Sequence, residues 1–160
     1  MANLYLRAIG IGAVAGMRSA SAPAFTSHYF ANNSSLFLDA SPLKGLGRTA
    51  TANVLKFMAA GELIADKLPM VPSRTDPGPL GARAVSGGVC GAAVFLAEGK
   101  QAEVGAALGA ASAVASSFLF MNLRRMIGKA AKLPDPVVAL AEDGLALGLG
   151  YAVFAPAKNT

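Results

Sequence analysis

Tryptophan is absent from this chain, and cysteine and histidine occur once each, at Cys90 and His28. A lone cysteine forms no internal disulfide and no cysteine-based metal site. A single histidine without neighbouring ligands gives no zinc or haem centre, and no Ser/His/Asp set is present for nucleophilic catalysis. Charge is scarce too: 14% of the 160 residues are Asp, Glu, Lys or Arg, against roughly a quarter in soluble domains. That is too little to coat a water-soluble globule. The same composition excludes a disordered chain, a coiled coil and a disulfide scaffold. Gly10-x-Gly12 fails the dinucleotide-binding spacing, and nothing resembles a phosphate loop. No cofactor, metal or enzymatic constellation is expected.

What the chain has is apolar surface. Hydrophobic residues make up 54%, glycine contributes 18 residues, and mean hydropathy is +0.49. The length suits one domain, residues 1–160, and the composition reads as a small multi-pass membrane protein. Net charge is +5. The basic residues fall between apolar segments rather than interleaving with aromatics, which argues for membrane loops and against nucleic acid. Cys90 sits in an apolar run and reads as a small packed hydrophobe.

A helix needs about 20 apolar residues to cross the hydrocarbon core. Residues 104–123 meet this without one charge. Residues 8–25, 80–97 and 136–155 qualify with charges inside them, and residues 51–65 form a shorter, weaker candidate. The segment after Arg7 imitates a signal peptide ending in Ser19-Ala20-Ser21-Ala22, but Arg18 interrupts it, so it reads as a retained first helix. The expected fold is an all-α bundle of about five transmembrane helices. Counting Lys and Arg by side gives eight against four for a cytoplasmic N-terminus and an outer C-terminus. Gly12/Gly16, Gly87/Gly91, Gly105/Gly109 and Gly144/Gly148 form G-x-x-x-G pairs, which let helices approach closely.

Two faint repeats are visible. Asp76-Pro77 and Asp135-Pro136 each open an apolar segment, and Arg83 and Glu142 each follow seven residues later. Equal depth would pair Arg83 with Glu142. Ala13-Val14-Ala15 recurs as Ala113-Val114-Ala115, which would relate the first two helices to the last two as an inverted repeat.

Charges inside a membrane segment cost several kcal/mol unless paired or hydrated. Arg18, Glu62, Glu142 and Asp143 are therefore the leading candidates for a polar site. Asp66 shares a helical face with Glu62, Arg83 follows in the next apolar segment, and Arg74 lies in the proline-rich loop with Ser73 and Thr75. Arg18 is expected to meet Glu62 or Glu142 in the interior. The set serves either to carry a proton, ion or small solute or to form a structural ion-pair network.

Ala15-Gly16-Met17-Arg18-Ser19 with Ala22-Pro23-Ala24 is similar to the opening of domain-of-unknown-function family 4126. Gly61-Glu62-Leu63-Ile64-Ala65-Asp66-Lys67-Leu68-Pro69 and Pro72-Ser73-Arg74-Thr75 resemble its central motif. Arg83-Ala84-Val85-Ser86-Gly87, Leu133-Pro134-Asp135 and Ala141-Glu142-Asp143 resemble the rest. The resemblance implies an integral protein of the bacterial inner membrane and carries no known activity. Membrane lipids are the expected partners, with a second copy or a membrane complex also open. The leading function is transport-like or channel-like, built on Arg18, Glu62, Asp66, Arg74, Arg83, Glu142 and Asp143. The alternative is a non-catalytic subunit of a larger membrane complex.

Overall fold

The computed structural model describes residues 2–65, 75–131 and 135–155, and among these there are helices and turns but no strand. In chain order they are α1 (Ala2–Met17), α2 (Ser21–Asn32), α3 (Leu36–Asp39), a 3-10 turn (Pro42–Gly47), α4 (Thr49–Ala65), α5 (Pro77–Ala97), α6 (Ala102–Ala131) and α7 (Asp135–Phe154). Three helices are long and apolar enough to cross a membrane, over Pro77–Ala97, Ala102–Ile127 and Val137–Phe154. By length and composition this is a membrane-embedded protein.

The third, fourth and fifth expected spans correspond to these three, α5, α6 and α7, and the second falls on the 17-residue α4, which is not one of them. The first expected span is different. It is two helices, broken at Arg18-Ser19-Ala20. At about 1.5 Å per residue α1 reaches about 24 Å, short of the ~30 Å hydrocarbon core. The chain then turns back: the Arg7 guanidinium lies over the Tyr29 ring, 5.6 Å from its centroid. α1 and α2 are thus the two arms of a hairpin whose turn is buried, with Arg18 only 2% exposed.

The hairpin fixes the direction of every neighbour. Ser112 Oγ donates to Ile9 O at 2.7 Å and Ser116 Oγ to Ala13 O at 3.0 Å, so α1 and α6 run the same way. The inverted repeat expected to relate these two helices is therefore not present, and the shared Ala-Val-Ala triplet is an accident of an alanine-rich chain. Tyr5 packs edge-on against Phe95, while Arg83 reaches Met17 O, so α5 runs antiparallel to α1. Phe154 stacks on Tyr29 at 4.7 Å, and a side chain on Gly10 would strike Val153 at 2.7 Å. The last turn of α7 and the outer half of α1 thus share one end of the bundle. Five full crossings would have separated the termini. The folded-back hairpin instead brings the start of α1 and the end of α7 to the same end of the bundle.

Gly87 and Gly91 of α5 lie directly on the backbone of Gly109 and Gly105 of α6, where a Cβ would collide with a carbonyl. Gly144 and Gly148 of α7 meet nothing within 4 Å. Ile11, Val14, Ala15, Ala22, Cys90 and Ala113 form the buried core between the hairpin, α5 and α6. At the terminal end, Gly99 closes α5 with φ +64. Gly99 N donates to Leu96 O and Lys100 N to Phe95 O, both at 2.9 Å, the paired bonds of a Schellman stop. Ser35 Oγ then ties α3 to Ala97 O at 2.8 Å.

Epitope tags at the two termini should be accessible from the same side of the membrane in sealed vesicles. Tags reporting opposite sides would contradict the folded-back hairpin.

Candidate functional site

Breaking a helix between other helices exposes carbonyls at the end of one half and amide groups at the start of the other. With no water in hydrocarbon, protein groups must satisfy them. The buried charges of this chain do so. Arg83 Nη1 on α5 donates to Gly16 O at 2.6 Å and Met17 O at 2.8 Å, the last carbonyls of α1. Ser117 Oγ on α6 also donates to Gly16 O, at 3.1 Å. On the other side of the break, Glu62 Oε1 on α4 accepts from Ser19 N at 2.9 Å and Ser19 Oγ at 2.8 Å. Glu62 Oε2 accepts from Ala20 N at 2.7 Å. Ser86 Oγ donates to Ser19 O at 2.6 Å. Pro23, in the first turn of α2, has no N–H to satisfy.

Electrostatics and hydrogen bonding act in the same sense. A helix C-terminus carries partial negative charge and attracts a guanidinium, and an N-terminus carries partial positive charge and attracts a carboxylate. Arg83 and Glu62 occupy those two positions, and Arg83 Nη2 lies 4.0 Å from Glu62 Oε1. Arg18, inside the turn, extends to α7, where its Nη2 donates to Asp143 Oδ1. Arg18, Arg83, Glu142 and Asp143 are all buried, none more than 8% exposed.

The sequence profile of the family described as Domain of unknown function (DUF4126) matches residues 5–158. The chain belongs to that family. No curated protein and no solved structure matches it.

In this DUF4126 chain, five of the seven expected polar residues fall among the described ones. Arg18, Glu62, Arg83 and Asp143 converge on the hairpin turn, and Glu142 is buried one position before Asp143. Asp66 and Arg74 lie outside the described residues. Two expected partnerships change. Arg18 meets Asp143 rather than Glu62 or Glu142, because adjacent residues of α7 point in different directions and it is Asp143 that faces α1. Arg83 meets α1 and Glu62 rather than Glu142, because α1 packs against both α5 and α7 and takes up the guanidinium itself. Sequence reasoning missed Ser19, Ser86 and Ser117. Hydroxyls beside Gly16 and Gly87 were the available signal, since small residues mark positions where backbones come close enough to bond.

Arg18→Leu leaves Asp143 buried without its guanidinium and should lower stability in detergent by roughly 3–5 kcal/mol. Adding Asp143→Leu should recover most of that loss. Additive effects in the double-mutant cycle would contradict the pair.

Proposed function

We propose that this is a small transport-like membrane protein whose working element is the α1–α2 hairpin. The observation that supports this reading is the buried helix break itself, with Glu62 on the start of α2 and Arg83 on the end of α1. Discontinuous helices at membrane depth are a recurring way to build a solute or ion site, because they present partial charge where lipid offers none. In the resting arrangement Glu62 fills the anion position at α2. A proton, cation or solute competing for Glu62 frees Ser19 and Ala20, and the turn can then rearrange.

The membrane in this proposal is the bacterial cytoplasmic membrane, following the family resemblance. Lys67 and Arg74, between α4 and α5, and Arg124, Arg125, Lys129 and Lys132, in the last turns of α6 and just after it, are assigned to the cytoplasmic side in this reading. With the hairpin folded back, both termini are then outside, which revises the cytoplasmic N-terminus read from five crossings.

The discriminating experiment uses accessibility, since a transport site must be reached by water and a purely structural network need not be. In a Cys90→Ala background, Ser19→Cys should react with a small water-soluble thiol reagent. The reaction should be faster when Glu62→Gln is added. A Ser19→Cys protein inert in both backgrounds, though labelled after unfolding, would defeat the transport reading and support a structural subunit.

A further inference from the structure

At the end of the bundle that holds both termini, a cavity of about 370 Å³ opens between α1, α2, α3, α5 and α7. Its volume lies within the ~300–1,000 Å³ typical of small-ligand sites. Its walls are of three kinds. Arg7 of α1 and Glu98, at the end of α5, supply charges of opposite sign. Asn33, Ser34 and Ser35 supply hydrogen-bonding groups between them, and Tyr29, Phe30, Phe37 and Phe154 supply aromatic surface.

Contacts among the lining residues hold the cavity in shape. Tyr29 meets both the Arg7 guanidinium and the Phe154 ring, and Phe30 meets Tyr29 edge-on at 5.3 Å. Ser35 is tied to Ala97, and the Phe37 ring lies against Gly99, where a Cβ would come within 3.2 Å of it. Arg7 and Glu98 line the same cavity without pairing. The ion pairs of Arg18 with Asp143 and of Arg83 with Glu62 lie away from it, at the hairpin turn. A cation and an anion that line one cavity without pairing are complementary to a dipolar ligand. Phe37, which lies against Gly99 next to Glu98 in the chain, adds aromatic surface for an ammonium group.

The rim points to where such a ligand comes from. Leu36 is 87% exposed and Phe37 62% exposed, and the two stand on the short α3 at the cavity edge. Exposed apolar side chains at the end of a membrane bundle seat that end at the lipid interface.

We propose that this cavity binds a phosphoethanolamine group, with Arg7 on the phosphate and Glu98 and the aromatic walls on the ammonium. The group reaches the site either as the headgroup of a phospholipid or as the free zwitterion. The site is separate from the hairpin turn, so it stands whether or not the transport reading does.

The test is a binding titration of the purified full chain in detergent. The ligands are short-chain phosphatidylethanolamine, phosphatidylglycerol and phosphatidylcholine, and free phosphoethanolamine. Phosphatidylethanolamine should bind about 10-fold or more tighter than phosphatidylglycerol, which lacks the ammonium. Phosphatidylcholine should fall between them, because its quaternary ammonium keeps the aromatic contact but donates no hydrogen bond to Glu98. Glu98→Gln should remove the preference for phosphatidylethanolamine, and Arg7→Gln should weaken all three lipids by about 10-fold. Free phosphoethanolamine binding as tightly as the lipid would identify the soluble zwitterion as the source, and much weaker binding would identify the headgroup. Equal affinity for phosphatidylglycerol and phosphatidylethanolamine in the unmodified protein would overturn the proposal. So would absence of binding, or a preference unchanged in Glu98→Gln.

Discussion

The backbone groups bared by the break at Arg18-Ser19-Ala20 are the constraint on which the rest of this molecule depends. In lipid an unsatisfied carbonyl or amide costs several kcal/mol, so a helix can stop at depth only where neighbours take over its hydrogen bonds. Here three helices send side chains to one turn: Arg83 and Ser86 from α5, Ser117 from α6 and Glu62 from α4. Those side chains reach the turn because the helices carrying them are close. Gly16 lies against Ala113 O and Ser117 N of α6, and this close approach puts Ser117 within hydrogen-bond distance of the end of α1.

The same arrangement explains how so apolar a chain keeps its internal charges. Arg83, Glu62 and Arg18 each meet a partial or full charge of opposite sign. Arg83 faces carbonyls, Glu62 faces amides, and Arg18 faces Asp143. Hydrogen bonds to ionised groups contribute about 1.5–3 kcal/mol each, and the low dielectric strengthens them. The turn is thus stable while intact and sensitive to the loss of any one member. Such a site suits a switch, since altering the charge at Glu62 releases two amides and a hydroxyl at once. In the proposed transport role, that release is what opens the hairpin.

Much of this was legible in the sequence. Residues 80–97, 104–123 and 136–155 announced α5, α6 and α7 through length and hydropathy, because burial in lipid acts on every residue of a span. Arg18, Glu62, Arg83 and Asp143 stood out because charge is expensive there. Their pairing was not legible, since it depends on the break. Residues 8–25 have the composition of one continuous helix, and Gly16, Ser19 and Ser21 are all tolerated in transmembrane helices. Pro23 was the informative residue. It sits comfortably in the first turn of a new helix, whereas in one continuous helix it would leave Ser19 O without its N–H donor. The inverted repeat failed for a different reason: three-residue matches carry little weight in a chain rich in alanine, and direct contacts between α1 and α6 fix their direction.

The central claim is that Glu62 holds the start of α2 by accepting the amides of Ser19 and Ala20. Site-resolved amide hydrogen exchange on the unmodified chain and on Glu62→Gln tests it most directly. The account predicts faster exchange at Ser19 and Ala20 in the variant, with protection retained along the α5–α6 crossing. Unchanged exchange at both amides would contradict it.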